Sequence, residues 1–152
     1  MIGALVIAFS LSLLILWFRY SCRLILGAKP AHDHTLEVAE RNELQFLAVQ
    51  QDLGVSGPGV ELGVLQRKVE RDYHLLNYLV HHSPAWRAGG ELLEQRLMML
   101  DFELMKAYCA IVSKFSRSAA RRALQEMVAV VGYFANTLGE RAETMPELIA
   151  PE

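Results

Sequence analysis

Asp72 is an acidic residue at a position where the surrounding sequence predicts an apolar one. Val69 and Leu76 flank it, and apolar residues at spacings of three and four are typical of the buried face of a helix. An ionised carboxylate is buried only when it is paired or hydrogen-bonded. We therefore expect the Asp72 carboxylate to have a charged or hydrogen-bonding partner inside the protein.

The lengths of the predicted helices place three further polar residues near the height of Asp72. Measured from the loop centres near residues 56 and 86, Arg41 and Asp101 lie level with Asp72, and Tyr133 lies at a similar height. We predict a core polar layer of these four residues. The favoured interpretation is a buried ion pair that fixes the register of the helices. The alternatives are an exposed ion pair and a site for a metal or for acid–base chemistry.

Motifs for metal binding or catalysis do not appear in the sequence. His32 and His34 are separated by one residue, and His81 and His82 are adjacent, so that on a helix the last two point about 100° apart. There is no Cys-x-x-Cys, His-Glu-x-x-His, Gly-x-Ser-x-Gly or glycine-rich phosphate motif. We expect no cofactor, no metal and no catalytic residue.

A cluster of four positive charges marks the predicted turn between the last two helices. It is a candidate partner-binding basic patch, formed by Lys114, Arg117, Arg121 and Arg122. Positive charge at the start of a helix opposes the helix dipole. The charges are either simply solvated or compensated by an acidic partner, by lipid phosphates or by Glu126 in the same helix.

An apolar segment at the N-terminus would hold the polar layer and the basic patch close to a membrane. From Ile2 to Phe18 there is no charged residue, and 17 helical residues extend about 26 Å, slightly less than the roughly 30 Å of a bilayer core. We predict that residues 1–27 form a transmembrane anchor helix with a juxtamembrane extension. Its expected membrane-interface residues, together with one from a later turn, are Trp17, Phe18, Arg19, Tyr20, Arg23 and Trp86.

The distribution of charge favours a retained anchor over a cleaved signal peptide. A signal peptide has positive charge before its apolar run, whereas here Arg19, Arg23 and Lys29 follow it. The same charges predict that the N-terminus lies outside and the main domain in the cytoplasm. Arginine outnumbers lysine 11 to 4, which hints at a bacterial genome, and we therefore expect a single-pass protein of the bacterial inner membrane.

The rest of the chain is predicted to be helical. Breaks at Pro30, at residues 54–59, at Pro84 and at residues 116–118, where Ser116 or Ser118 can cap a helix, separate the anchor and four further helical patterns of 19 to 25 residues. We therefore predict an all-α fold in which the anchor and a linker (28–34) precede a cytoplasmic antiparallel, up-and-down four-helix bundle (35–139). A loosely ordered acidic tail (140–152) follows.

Two orientations of this bundle on the membrane are compatible with the sequence. In the favoured one, the first helix leads away from the bilayer, so that the turn at 83–90 returns to it with Trp86 and Arg87 at the interface. The basic patch then lies at the distal tip and binds an acidic protein partner. If the linker instead folds the first helix back, the patch meets anionic headgroups.

Charge and the missing motifs together determine the functional prediction. Residues 1–29 contain three of the 15 basic residues and none of the 17 acidic ones, so the remainder has a net charge of −5, which argues against nucleic-acid binding. We predict a non-enzymatic, membrane-tethered helical module, an accessory or scaffold subunit of a membrane protein complex, whose partners are the lipid bilayer and other protein subunits. The alternatives are a membrane-anchored sensor that binds a metal or small ligand in the helical core, and a small enzyme acting at the membrane surface.

Overall fold

A computed structural model describes residues 2–28, 32–55, 61–82 and 93–144. Within these ranges every regular element is a helix and no strand occurs, which confirms the all-α prediction for this part of the chain. The six helices there are α1 (Ile2–Gly27), α2 (Thr35–Arg41), α3 (Phe46–Gly54), α4 (Leu62–His82), α5 (Leu93–Val112) and α6 (Arg117–Thr144).

The longest helix, α6, is the centre of the domain. It contacts each of the other five helices. Its apolar side chains, such as Leu124, Met127 and Phe134, recur on one helical stripe and are fully buried. Tyr73 of α4 stacks on Phe102 of α5, with ring centroids 3.7 Å apart, and meets Phe134 edge-on at 6.0 Å. The core of the domain is therefore organised around α6.

The first helix of the predicted bundle is two helices in the structure. We expected one helix from residue 35 to about residue 53, but α2 ends at Arg41 and α3 begins at Phe46. Between them Glu43 has a φ of 52°, in the left-handed region that a helix cannot continue through. Both short helices pack against α6. The up-and-down four-helix bundle is therefore not confirmed.

The C-terminal half of α6 holds the start of α2. The backbone N–H of His34 donates a hydrogen bond to Asn136 Oδ1 at 2.9 Å. Gly139 provides the necessary space, since a Cβ at that position would overlap the His34 side chain. α6 continues to Thr144, past residue 140 where we expected the acidic tail to begin, and residues 145–152 lie outside the described ranges.

α1 consists of an exposed part and a docked part. Every residue from Gly3 to Trp17 is exposed, whereas Phe18, Cys22 and Ile25 pack against the core of the domain. Among the described residues, the segment Gly3–Gly27 is the one helix that is long and apolar enough to cross a membrane, a property that it shares with signal sequences. The prediction of an apolar N-terminal helix is confirmed to that extent.

The docked part of α1 runs parallel to α6 and antiparallel to α5. Arg19 contacts Asp101 and Glu126, and one to two turns later α1 borders the same cavity as Gln95 and Tyr133. Following α1 from Arg19 toward its C-terminus, the neighbouring residues therefore have decreasing numbers on α5 and increasing numbers on α6. As a result, the α5–α6 turn lies on the side of the apolar half of α1. The favoured sequence-based orientation had placed this turn farthest from the apolar segment.

Candidate functional site

The main buried polar group joins α1 to α5 and α6. Arg19 Nη1 donates to Asp101 Oδ1 at 3.0 Å, and Arg19 Nη2 donates to Glu126 Oε2 at 2.6 Å. Met105 Sδ lies 3.2 Å from the same Nη1, and Asp101 and Cys22 are fully buried. We call these five residues the Arg19 cluster. One guanidinium thus pairs with two carboxylates that belong to different helices.

The charges of the Arg19 cluster do not balance when both carboxyls are ionised. Asp101 Oδ2 and Glu126 Oε1 are buried and have no well-formed hydrogen bond. Burial, followed by repulsion from Glu126, raises the pKa of Asp101 to about 6, against the opposing effects of Arg19 and of the nearby Cys22 thiol. The cluster can therefore take up a proton on Asp101 in mildly acidic solution.

The chemistry of the Arg19 cluster favours a structural junction over a metal centre. The guanidinium occupies the space between the two carboxylates, where a cation would have to bind. In the parts of the chain that the structure describes, no group of three or more His, Cys, Asp or Glu side chains could hold a metal ion. The arrangement instead fixes the position of α1 on the domain through charge-assisted hydrogen bonds.

Asp72 performs a different task at the start of α3. Its Oδ2 accepts hydrogen bonds from the backbone N–H groups of Gln45, at 2.5 Å, and Phe46, at 2.7 Å. These are unpaired donors at the N-terminus of α3, and a carboxylate there also interacts favourably with the helix dipole. Asp72 is fully buried, and its other oxygen lies 3.4 Å from the exposed Arg71 guanidinium. Asp72 thus caps a helix that is distant from it in sequence.

The predicted core polar layer is not formed. Arg41 is exposed and pairs with Glu37 at 2.8 Å rather than with Asp72. Asp101 is paired with α1, and Tyr133 is half-buried beside a cavity. The sequence-based heights assumed an unbroken helix from residue 35 to residue 53. Because the chain turns after Arg41, that assumption failed.

The predicted basic patch is divided by the structure. Arg121 is half-buried and donates from Nε and Nη2 to the carbonyl of Leu53 and from Nη2 to that of Val55, at 3.1 Å. These carbonyls lie at the C-terminus of α3, where a cation is favourable. The other three residues, Lys114, Arg117 and Arg122, are exposed around the α5–α6 turn.

The predicted membrane-interface residues also have different environments. Trp17, Tyr20 and Arg23 are exposed on α1, as contact with lipid headgroups requires. Phe18 packs partly against the core of the domain, and the guanidinium of Arg19 is directed into the cluster instead of toward lipid. Trp86 lies outside the described residues.

A cavity of about 700 Å³ lies next to the Arg19 cluster, between the end of α1, the start of α5 and the second half of α6. Ile25 contributes to its apolar wall, and Glu94 and Glu140 contribute carboxylates. Tyr133 also lines it, and burial, with a smaller effect of Glu94, raises the pKa of this phenol. The cavity is therefore amphipathic and contains a neutral phenol at neutral pH.

Three members of the Arg19 cluster, Cys22, Met105 and Glu126, were not predicted as site residues. The signal that could have identified the cluster is the position of Arg19 directly after the apolar run, one turn before Cys22. Asp101 was expected to be buried and required a cation, for which Arg41 was the only candidate considered. Arg19, on the predicted anchor, is the cation that Asp101 pairs with in the structure, and it had not been considered for this role.

The chain matches no protein-family model, no curated protein and no solved structure. Its function is therefore inferred from the cluster, the cavity and the exposed surfaces.

Proposed function

We propose that this chain is a non-enzymatic, membrane-tethered helical module that serves as an accessory or scaffold subunit of a membrane protein complex. In this proposal α1 crosses the bilayer once and the domain built around α6 lies at the membrane surface. The observation that carries the proposal is the Arg19 cluster, because it connects the apolar helix to the domain through partly buried ion pairs. The up-and-down connectivity of the bundle is not required.

The cluster favours a retained anchor. If α1 were cleaved as a signal sequence, Asp101 and Glu126 would lose their shared guanidinium. Removing one partner of a buried ion pair costs about 3 to 5 kcal/mol. A domain that has lost Arg19 would therefore be considerably destabilised, whereas a retained α1 keeps both carboxylates paired.

The proposed orientation depends on the positive charges that follow the apolar run. Arg19, Arg23 and Lys29 favour an N-terminus outside and a domain in the cytoplasm. With the arginine-rich composition, this orientation supports a location in a bacterial inner membrane.

An exposed apolar surface on α4 supports the role of accessory subunit. Leu75 and Tyr78 lie one turn apart on α4, and both side chains are exposed. Aromatic and aliphatic side chains that are exposed together are typical anchors of protein–protein interfaces. Because the Arg19 cluster fixes the domain relative to α1, such a surface would be held at a defined position above the bilayer.

Native gel electrophoresis of mildly solubilised membranes tests the proposal. We expect the wild-type chain to migrate in an assembly larger than the chain in its own micelle. The double substitution Leu75→Glu and Tyr78→Glu should release the chain from that assembly, and Gln51→Glu, on the exposed side of α3, should not. A wild-type chain that migrates alone would contradict the proposal.

A second candidate function, that of a membrane-anchored sensor, is favoured by the cavity beside α1. Its apolar wall, and three carboxylates (Asp33, Glu94 and Glu140) that outnumber the lining Arg141, suit a small amphiphile with a positively charged head. Decylamine should then raise the unfolding temperature of the protein in nanodiscs more than decanoate does, and Glu140→Gln should reduce the difference. Equal effects of the two probes would refute the sensor function.

A further inference from the structure

An exposed apolar row on α5 begins next to the Arg19 cluster. Asp101 directs its carboxyl toward α1, and residues at spacings of three and four from it lie on the same side of the helix. These are Leu104, Tyr108, Ile111 and, in the turn after α5, Phe115. Their exposed fractions increase along the row, from 42% at Leu104 to 84% at Phe115. We call these four residues the α5 row.

The remainder of this stretch of α5 is divided between the core and a polar side. Met105 and Cys109 face the core of the domain. Glu103 and Lys106 form an ion pair of 3.1 Å. Because successive residues are rotated by about 100° around a helix, these two side chains lie on a different side of α5 from the α5 row. The C-terminal half of α5 is therefore amphipathic on its solvent-accessible surface. A helix with this pattern can contact lipid through its apolar side and water through its polar side.

The direction of α5 brings the α5 row to the membrane if α1 spans it. Asp101 lies beside Arg19, at the end of the apolar run of α1. α5 continues for 11 residues from Asp101 to Val112, which is about 17 Å of helix, and Phe115 lies in the turn that follows. Because α5 is antiparallel to α1, this extension leads toward the apolar half of α1. That half is itself exposed over Gly3–Trp17, so no described part of the protein covers the row from that side.

We propose that the α5 row inserts into the bilayer leaflet that α1 crosses, with lipid filling the space between the two helices. The inference rests on the spanning of the membrane by α1, which is part of the proposed function, and is independent of the accessory role. Two observations favour a lipid surface over a protein partner: the row is continuous with the docking site of α1, and exposed positive charges surround its end. Lys114 and Arg122 are exposed beside the end of the row, and anionic headgroups would compensate their charge if these long side chains extend to them.

Fluorescence quenching in nanodiscs tests the insertion. The full chain carries Phe115→Trp in a background of Trp17→Phe and Trp86→Phe, in nanodiscs of phosphatidylcholine with a minority of phosphatidylglycerol. We expect lipids brominated on the acyl chain to lower the tryptophan emission well below that in unbrominated nanodiscs, because bromine quenches on contact. The matched control is Tyr78→Trp on α4 in the same background, whose emission should not change. Both replaced side chains are exposed, so neither change disturbs the core.

A third protein, with Trp17 as its single tryptophan, reports on the anchor. Quenching of Trp17 without quenching at position 115 would overturn the insertion of the α5 row and leave the anchor intact. Absence of quenching at both positions would overturn the spanning of α1 and the proposed function with it. Equal quenching at positions 115 and 78 would contradict a specific contact through the row.

The contact with anionic headgroups has its own test. Omitting phosphatidylglycerol should reduce the quenching of Phe115→Trp, and the double substitution Lys114→Gln and Arg122→Gln should reduce it to the same degree in anionic nanodiscs. Quenching that is insensitive to both changes would refute the contribution of the charged residues.

Discussion

Replacing Asp72 with alanine removes the carboxylate that caps α3. In the wild-type protein, one buried oxygen accepts hydrogen bonds from the backbone amides of Gln45 and Phe46. The substitution leaves these two donors without an acceptor in a site where the Asp72 side chain itself is fully buried. The start of α3 and its packing against α6 should therefore weaken together.

The structure sets the expected size of this effect. A hydrogen bond to a charged group contributes about 1.5 to 3 kcal/mol, and loss of a capping side chain typically costs about 0.5 to 2 kcal/mol. Because the two amides share one oxygen, we expect Asp72→Ala to lower the free energy of unfolding by about 3 kcal/mol. Asp72→Asn retains a carbonyl acceptor and should cost about 1 kcal/mol. A residue that served only to fix helix register would instead tolerate leucine.

Urea denaturation of the full chain in detergent micelles, followed by circular dichroism, measures the change. Asp52→Ala, at an exposed position in the last turn of α3, is the matched control and should alter the free energy of unfolding by less than about 0.5 kcal/mol. If Asp72→Ala is as stable as this control, the capping of α3 by Asp72 is refuted.

Three further predictions use the same denaturation assay. The raised pKa of Asp101, about 6, means that the folded state holds a proton more tightly than the unfolded state. Wild-type stability relative to Asp101→Asn should therefore be greatest below about pH 4 and should fall by about 3 kcal/mol as the pH rises past 6; a constant difference would contradict the shift. Arg121→Ala removes the donors to the end of α3 and should cost about 1 to 2 kcal/mol, whereas the exposed Arg122→Ala should cost less than about 0.5 kcal/mol; equal losses would exclude the capping role. Gly139→Ala places a Cβ against His34 and should cost about 1 to 3 kcal/mol, and Gly132→Ala, whose Cβ would be 3.7 Å from its nearest neighbour, should be tolerated.

The sequence was sufficient for the features that depend on local pattern. The apolar periodicity and the positions of proline and glycine predicted α4, α5 and the beginning of α6 to within a few residues. They also predicted that the N-terminal apolar run is helical. Each of these features follows from the spacing of apolar residues along one helix, which the sequence displays directly.

The break between α2 and α3 could not be read from local pattern. No proline or glycine lies between Arg41 and Phe46, and Glu43 adopts a left-handed conformation that its residue type does not favour. The break is stabilised by Asp72, 26 residues after Phe46, so it depends on a tertiary contact. An acidic residue on an apolar stripe did indicate a buried partner, but not that the partner was the backbone of another helix.

The Arg19 cluster was missed for a related reason. Arg19 follows an apolar run, and such residues usually extend to lipid headgroups. Arg19 pairs with Asp101 and Glu126 because α1 docks against α5 and α6. The spacing of residues within a single helix does not reveal such a contact between helices. The position of the α5–α6 turn on the side of the apolar half of α1 also follows from this docking, and the favoured sequence-based orientation had placed that turn at the opposite end.

The central claim is that α1 is fixed to the domain by the Arg19 cluster, and a double-substitution cycle measures this most directly. At pH 8, where Asp101 is ionised, Arg19→Leu should lower the free energy of unfolding by about 3 to 5 kcal/mol, because it leaves two buried carboxylates without their cation. The double substitution Arg19→Leu and Asp101→Leu should recover most of this loss, which gives a coupling energy of about 2 kcal/mol or more, and the exposed Arg23→Leu should have little effect. A coupling energy near zero, with Arg19→Leu as stable as Arg23→Leu, would show that α1 is an independent tether and would contradict the account.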